Sequence, residues 1–178
     1  MPVIENVLVD WLFVWEPSKK GKFSCCCIFP EGSSQHAQVK AEIEKARVKG
    51  ISDGKFTEAD SKKKAFKGCL RNGTEEVEEE DRPKHYLGQM FFNANNTDQP
   101  GIVGPDNRPL LDRDKLYSGC ICHVDINFYP FSHPEGGKGV GAGFNNIMLV
   151  KEGDRLDGRQ SAAEAFANYT TEPEDDLQ

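Results

Sequence analysis

Between Tyr117 and Phe131 the chain alternates side-chain type, most cleanly from Cys122 to Phe128. Cys120, Cys122, Val124, Ile126 and Phe128 fall on one parity, and His123, Asp125, Asn127, Tyr129 and Phe131 on the other. Only extended backbone sends successive side chains to opposite sides, so this segment reads as a strand with one face in a core and one outside. Pro130 lacks an amide hydrogen and limits pairing near the strand's end.

Weaker signals place the other elements around it. Val7, Val9, Trp11, Phe13 and Trp15 follow period two and predict a first strand from Val3 to Trp15, with a turn over Glu16–Gly21. A second strand from Lys22 to Phe29 is stopped by Pro30, and the two are expected to form a hairpin. Ser33 and Ser34 can cap a helix to about Lys49, with Gly50 as its stop. Thr57 and Asp60 resemble a capping box before a basic helix, Glu58 to Lys67. Strand character returns at Lys84–Asn93 and again at Val140–Lys151, with a turn-rich stretch and a short strand at Ile102-Val103 between them. Ser161-Ala162-Ala163-Glu164 predicts a short last helix.

About five strands with helices inserted between the second and third do not alternate strand with helix, as a parallel α/β sheet requires. The expected architecture is mainly β: a five-stranded OB-like antiparallel barrel with one or two inserted helices and a short C-terminal helix. A length of 178 residues suits one such domain over 1–169, followed by an acidic, disordered tail over 170–178.

No apolar run approaches the ~18 residues of a membrane span, so no membrane partner is expected. The opening Met1-Pro2-Val3-Ile4-Glu5 has no basic stretch leading into an apolar one, so a cytoplasmic chain with free thiols is expected. Cys25, Cys27, Cys120 and Cys122 then read as small apolar side chains on buried strand faces.

The formal net charge of −7 argues against a polyanionic partner only if charge is evenly spread. It is not. Ten of the 29 acids lie in two runs, Glu75–Asp81 and Glu172–Asp176, leaving 19 acids against 22 bases in the body. A basic groove is therefore compatible with an acidic total.

Chemistry-bearing motifs are missing. Gly136-Gly137-Lys138-Gly139-Val140-Gly141-Ala142-Gly143 lacks the spacing of a phosphate loop and runs into strand-like sequence, so its glycines read as sites of curvature or close backbone approach. The four histidines show no metal spacing, and His123 points away from Cys122. No cofactor, no metal and no catalytic residue is expected.

What remains is aromatic residues near cations. Tyr117, Tyr129 and Phe131 fall on the outward side of the best strand, with Lys115 and Lys138 flanking it. Tyr86 and Phe92 share a parity on the third strand, with Lys84 at its entry and Arg71 upstream, and Trp15 closes the first strand. Base faces stack on such rings while lysines follow the phosphates, which suits a single strand and not a duplex.

The order Lys84-His85-Tyr86-Leu87-Gly88-Gln89-Met90-Phe91-Phe92-Asn93-Ala94, then Gln99-Pro100-Gly101-Ile102-Val103, then Leu116-Tyr117-Ser118-Gly119-Cys120 resembles a family of bacteriophage single-stranded-DNA-binding proteins first catalogued as a domain of unknown function. Lys138–Asn146, Glu152–Arg159, Trp15-Glu16-Pro17 and Ile28-Phe29-Pro30 extend the likeness, which covers most of Val3 to Phe166. It implies an OB fold, binding of single-stranded DNA in phage replication or recombination, no catalysis, and residence in the cytoplasm of the infected bacterial host. It also implies a regulatory role for the tail acids Glu172, Glu174, Asp175 and Asp176, which would contact phage or host replication proteins and compete with DNA. Two other classes stay open on the residues: a metal-dependent nuclease using Asp112, Asp114 and Asp125, and a protein-interaction barrel with no nucleic-acid role.

Overall fold

The computed structural model describes residues 2–76, 78–80, 83–156 and 162–169. Seven strands form one sheet: β1 (Val3–Phe13), β2 (Phe23–Pro30), β3 (Arg71–Asn72), β4 (Gln89–Asn96), β5 (Gly101–Val103), β6 (Ile121–His133) and β7 (Gly137–Lys151). The spatial order is β3-β4-β2-β1-β6-β7-β5, and a further pairing of Asn95 in β4 with Gly143 in β7 closes β1, β2, β4, β7 and β6 into a ring. This is the five-stranded OB-like barrel that the strand pattern predicts. Its closing pair alone is parallel; the other four seams are antiparallel.

The alternation read in β6 holds in space. Cys122, Val124 and Ile126 are fully buried, while Asn127 and Tyr129 on the other parity are exposed. Inside the barrel, Phe92 packs between Phe29 and Phe128, with centroids 6.1 and 5.3 Å away. Three consecutive cysteines are possible in β2 because both of its faces are covered. Cys25 and Cys27 face the barrel interior, and Cys26 faces a second apolar cluster with Ile28, Tyr86 and Phe91. Burial pushes these thiols up, Cys26 to about 12, so they stay protonated and serve as small apolar groups.

β1 departs from period two at two points. Asn6 and Trp11 have φ of 53° and 46°, and the register slips between Ile4 and Val7 and again between Asp10 and Phe13. Each bulge turns the strand, so the inward set is Ile4, Val7, Val9 and then Val14, while Trp11 is 67% exposed.

The helices are α1 (Ser34–Ser52), α2 (Glu58–Ser61), α3 (Gly73–Glu76) and α4 (Ala162–Ala165). Ser33 caps α1 as expected, its hydroxyl accepting from the His36 amide. Gly50 does not stop this helix. It is a contact point, where a Cβ would lie 2.7 Å from Pro130 of β6 and closer still to the Phe56 ring, and the helix ends at Asp53 instead. The Thr57–Asp60 capping box is present, yet α2 ends after one turn. The basic segment beyond it leaves the helix to lie along β7: the Lys67 amide donates to the Lys138 carbonyl at 2.9 Å, and the Lys67 carbonyl accepts from Val140 at 3.0 Å. Gly139 makes room for it, since any Cβ there would collide with the Lys67 carbonyl. Lys84 to Tyr86, expected as strand, is a single 3₁₀ turn, and β4 begins at Gln89. The tail at 170–178 lies outside the described residues. Among the described residues no helix is long and apolar enough to cross a membrane.

Candidate nucleic-acid interface

Two ring-bearing surfaces lie at opposite ends of β6. At its far end Tyr129, Phe131 and His133 form an outward row, with centroids 6.4 Å apart from Tyr129 to Phe131 and 5.5 Å from Phe131 to His133, the latter pair stacked at 24°. Across the ladder these residues oppose Gly141, Gly139 and Gly137 of β7. The glycines that mimic a phosphate loop in sequence thus allow close approach to β7: the Tyr129 ring lies over Gly141 and the Lys67 backbone against Gly139. Tyr129 is 40% exposed and Phe131 half-buried.

Cations border this row. Lys138 opposes Ser132, and Lys63 approaches from the segment after α2. Both are held by one carboxylate: Asp60 accepts from Lys138 at 3.0 Å and from Lys63 at 3.3 Å. The Thr57 amide, then Lys138, hold the Asp60 carboxyl well below the usual carboxylate range.

The second surface is a cleft of about 650 Å³ where the end of β1 meets the approach to β6. Trp11, Phe13, Trp15 and Tyr117 line it together with Arg113 and Arg155. Arg113 lies 5.4 Å from the Trp15 ring centroid, and Arg155 lies 4.1 Å from that of Tyr117. The Tyr117 hydroxyl donates to the Gly153 carbonyl at 2.6 Å and fixes the ring. Lys115 is exposed in the turn that carries Arg113, and Lys84 is exposed between two residues of the cleft wall, Pro83 and His85.

The predicted site residues therefore divide. Tyr129 and Phe131 lie in the row, with Lys138 beside its His133 end, and Trp15 and Tyr117 line the cleft, with Lys84 and Lys115 exposed on segments next to it. Two aromatic residues are corrected. Phe92 is fully buried in the barrel centre, and Tyr86 is 6% exposed, so neither offers a face to a base. Tyr86 points inward because its hydroxyl donates to the buried carboxylate of Asp10 at 3.1 Å, beside the Cys26 thiol. Arg71 lies on β3 at the sheet edge, paired with Glu76 at 3.1 Å, and joins neither surface.

Sequence reasoning did not single out Trp11, Arg113, His133 or Arg155 as site residues. No sequence signal marks Trp11, because Val7, Val9, Trp11, Phe13 and Trp15 keep one parity and the shift between Val9 and Val14 shows only in their burial. The arginines gave none, because they lie in loops and reach the rings only through the fold. Of the acids weighed for a nuclease, Asp112 caps the turn before β6 and Asp125 accepts from Asn146 at 2.8 Å. Among the described residues no three His, Cys, Asp or Glu side chains are grouped to hold a metal ion.

A closed ring of five strands in this order, with rings and cations on its outer face, defines an OB-type barrel. The chain belongs to the family described as the ssDNA-binding protein of Enterobacter phage Enc34, whose model matches residues 2–178. That family is one of binding proteins and not of enzymes, which sets the nuclease alternative aside. Among solved structures, the single-stranded DNA-binding protein from bacteriophage Enc34 is similar at 16% identity and a TM-score of 0.67, over 92% of this chain and 88% of that one. The same protein in complex with ssDNA matches at 15% identity and 0.67, over 86% and 88%. The bacteriophage T7 protein gp2.5, a single-stranded DNA binding protein, matches at 10% and 0.59, over 90% and 95%. No curated protein matches the sequence.

Proposed function

We infer that the chain binds single-stranded DNA without sequence readout, the bases stacking on the row Tyr129–Phe131–His133 while Lys138 and its neighbours follow the phosphates. The observation that carries this reading is the row itself: three rings in succession on one strand, Tyr129 and His133 exposed, with Lys138 and Lys63 beside its His133 end. Each stacked base contributes roughly 1–3 kcal/mol, and every base has a face to stack, so affinity need not depend on sequence. A duplex keeps those faces covered and would contact only the lysines.

Exposed strands of this kind arise in phage replication and recombination, in the host cytoplasm, and we place the protein there. The acidic C-terminal residues Glu172, Glu174, Asp175 and Asp176 would act as an internal competitor for the cations and as a contact for replication proteins. The test is a titration with oligothymidine at several salt concentrations, read by intrinsic fluorescence and compared with duplex. Quenching, weaker binding as salt rises, and a preference for the single strand are expected. Equal binding to duplex, or none to either, overturns the reading. A chain ending at Tyr169 is expected to bind more tightly at low salt, and unchanged affinity would remove the competitor role.

A further inference from the structure

The cleft at the end of β1 has a feature that packing alone does not require. Trp11 is a bulky residue at φ 46°, a backbone region that L side chains of its size rarely adopt, and the result is an indole 67% exposed to solvent. The conformation is held from below. Asp10, only 8% exposed, takes the Trp11 amide on Oδ1 at 2.8 Å, and on Oδ2 takes His85 at 2.9 Å and the Tyr86 hydroxyl at 3.1 Å. A buried carboxylate with three partners thus fixes a bulge whose outcome is a tryptophan in water.

We propose that this cleft is a second binding site on the protein, seating one nucleotide of a bound single strand with its base against Trp11 and its phosphate toward Arg113. The proposal rests on the single-strand reading above but concerns different residues at the other end of β6. The volume, about 650 Å³, lies within the ~300–1,000 Å³ of small-molecule sites. Arg113 has the Trp15 ring beneath it and no carboxylate partner among the described residues, so its fork is available to a phosphate. Asp114 stands on the same rim and opposes any general build-up of anions, so stacking supplies most of the affinity. With the Asp10 oxygens already engaged, the floor offers little to read on the base edge, and the pocket should accept any base.

Full-length protein is titrated with oligothymidine and irradiated to cross-link bound DNA, with the adduct mapped by mass spectrometry. Cross-linking at Trp11 is expected, and Trp11→Ala and Arg113→Ala should each weaken binding about tenfold, a loss within the range of one stacked base or one charged contact. Trp11→Phe should retain most of the affinity. Both alanine variants replace exposed side chains, so circular dichroism should remain native. If the wild type binds but the two variants bind as it does and no adduct maps to Trp11, the cleft is not a nucleotide site while the single-strand reading stands. If the wild type binds no oligonucleotide, both fall, and binding lost in Tyr129→Ala but retained in Trp11→Ala and Arg113→Ala assigns it to the row alone.

Discussion

Tyr129 lies across Gly141 so closely that a Cβ at position 141 would come 2.8 Å from both the ring Cζ and the hydroxyl oxygen. The glycine and the tyrosine are cross-strand partners in the β6–β7 ladder, so the ring's position depends on the absence of a side chain opposite it.

Gly141→Ala should therefore displace the ring and not the strand, because the colliding atoms are the far end of a side chain. The expected result is a change in stability of under ~1 kcal/mol in urea unfolding, with oligothymidine affinity lower by severalfold. Gly139→Ala makes the contrast. Its Cβ would meet the Lys67 backbone, which cannot swing away, so a loss of roughly 1–3 kcal/mol is expected.

Asp60 restrains the cations beside the row, binding Lys138 and Lys63 together. Asp60→Asn should release both, tightening single-strand binding at low salt and steepening its salt dependence by about one unit in the log–log slope. The pH dependence follows from the depressed carboxyl. Its folded pKa is below the unfolded value of ~3.9, so its stabilising contribution is complete at neutral pH and is lost as pH falls from about 4 through the folded value. The stability difference between wild type and Asp60→Asn should be constant from pH 6 to 8 and shrink only in that acid range. A difference that shrinks near pH 6 would point to another group.

Tyr86→Phe tests whether this tyrosine belongs to the packing and not to the binding surface. Losing a buried donor to the Asp10 carboxylate should cost about 1.5–3 kcal/mol. DNA affinity should stay within about twofold, because the Trp11 amide and His85 still hold Asp10. A large loss of affinity with little loss of stability would return Tyr86 to the interface.

Trp11→Gly separates conformation from contact. Glycine adopts φ 46° without penalty, so thermal unfolding should show equal or greater stability, by up to ~1 kcal/mol, alongside weaker DNA binding. Trp11→Ala keeps the unfavourable backbone and should weaken binding with no gain in stability.

Local sequence was sufficient for the outward parity of Tyr129 and Phe131, for the buried cysteines and for the capping residues Ser33 and Thr57. These are local matters: a side chain's parity on a strand or a hydroxyl's position before a helix follows from neighbouring residues. Other features depend on segments far apart in sequence. Tyr86 turned inward because Asp10, 76 residues earlier, lies beneath it. Phe92 entered the core because the barrel closed around it. Arg113 and Arg155 met Trp15 and Tyr117 only once the ends of β1 and β6 were side by side. Short-range alternation tells which residues can face water; the closing of the ring selects which of them share a surface, because only then are the remaining faces covered or left open.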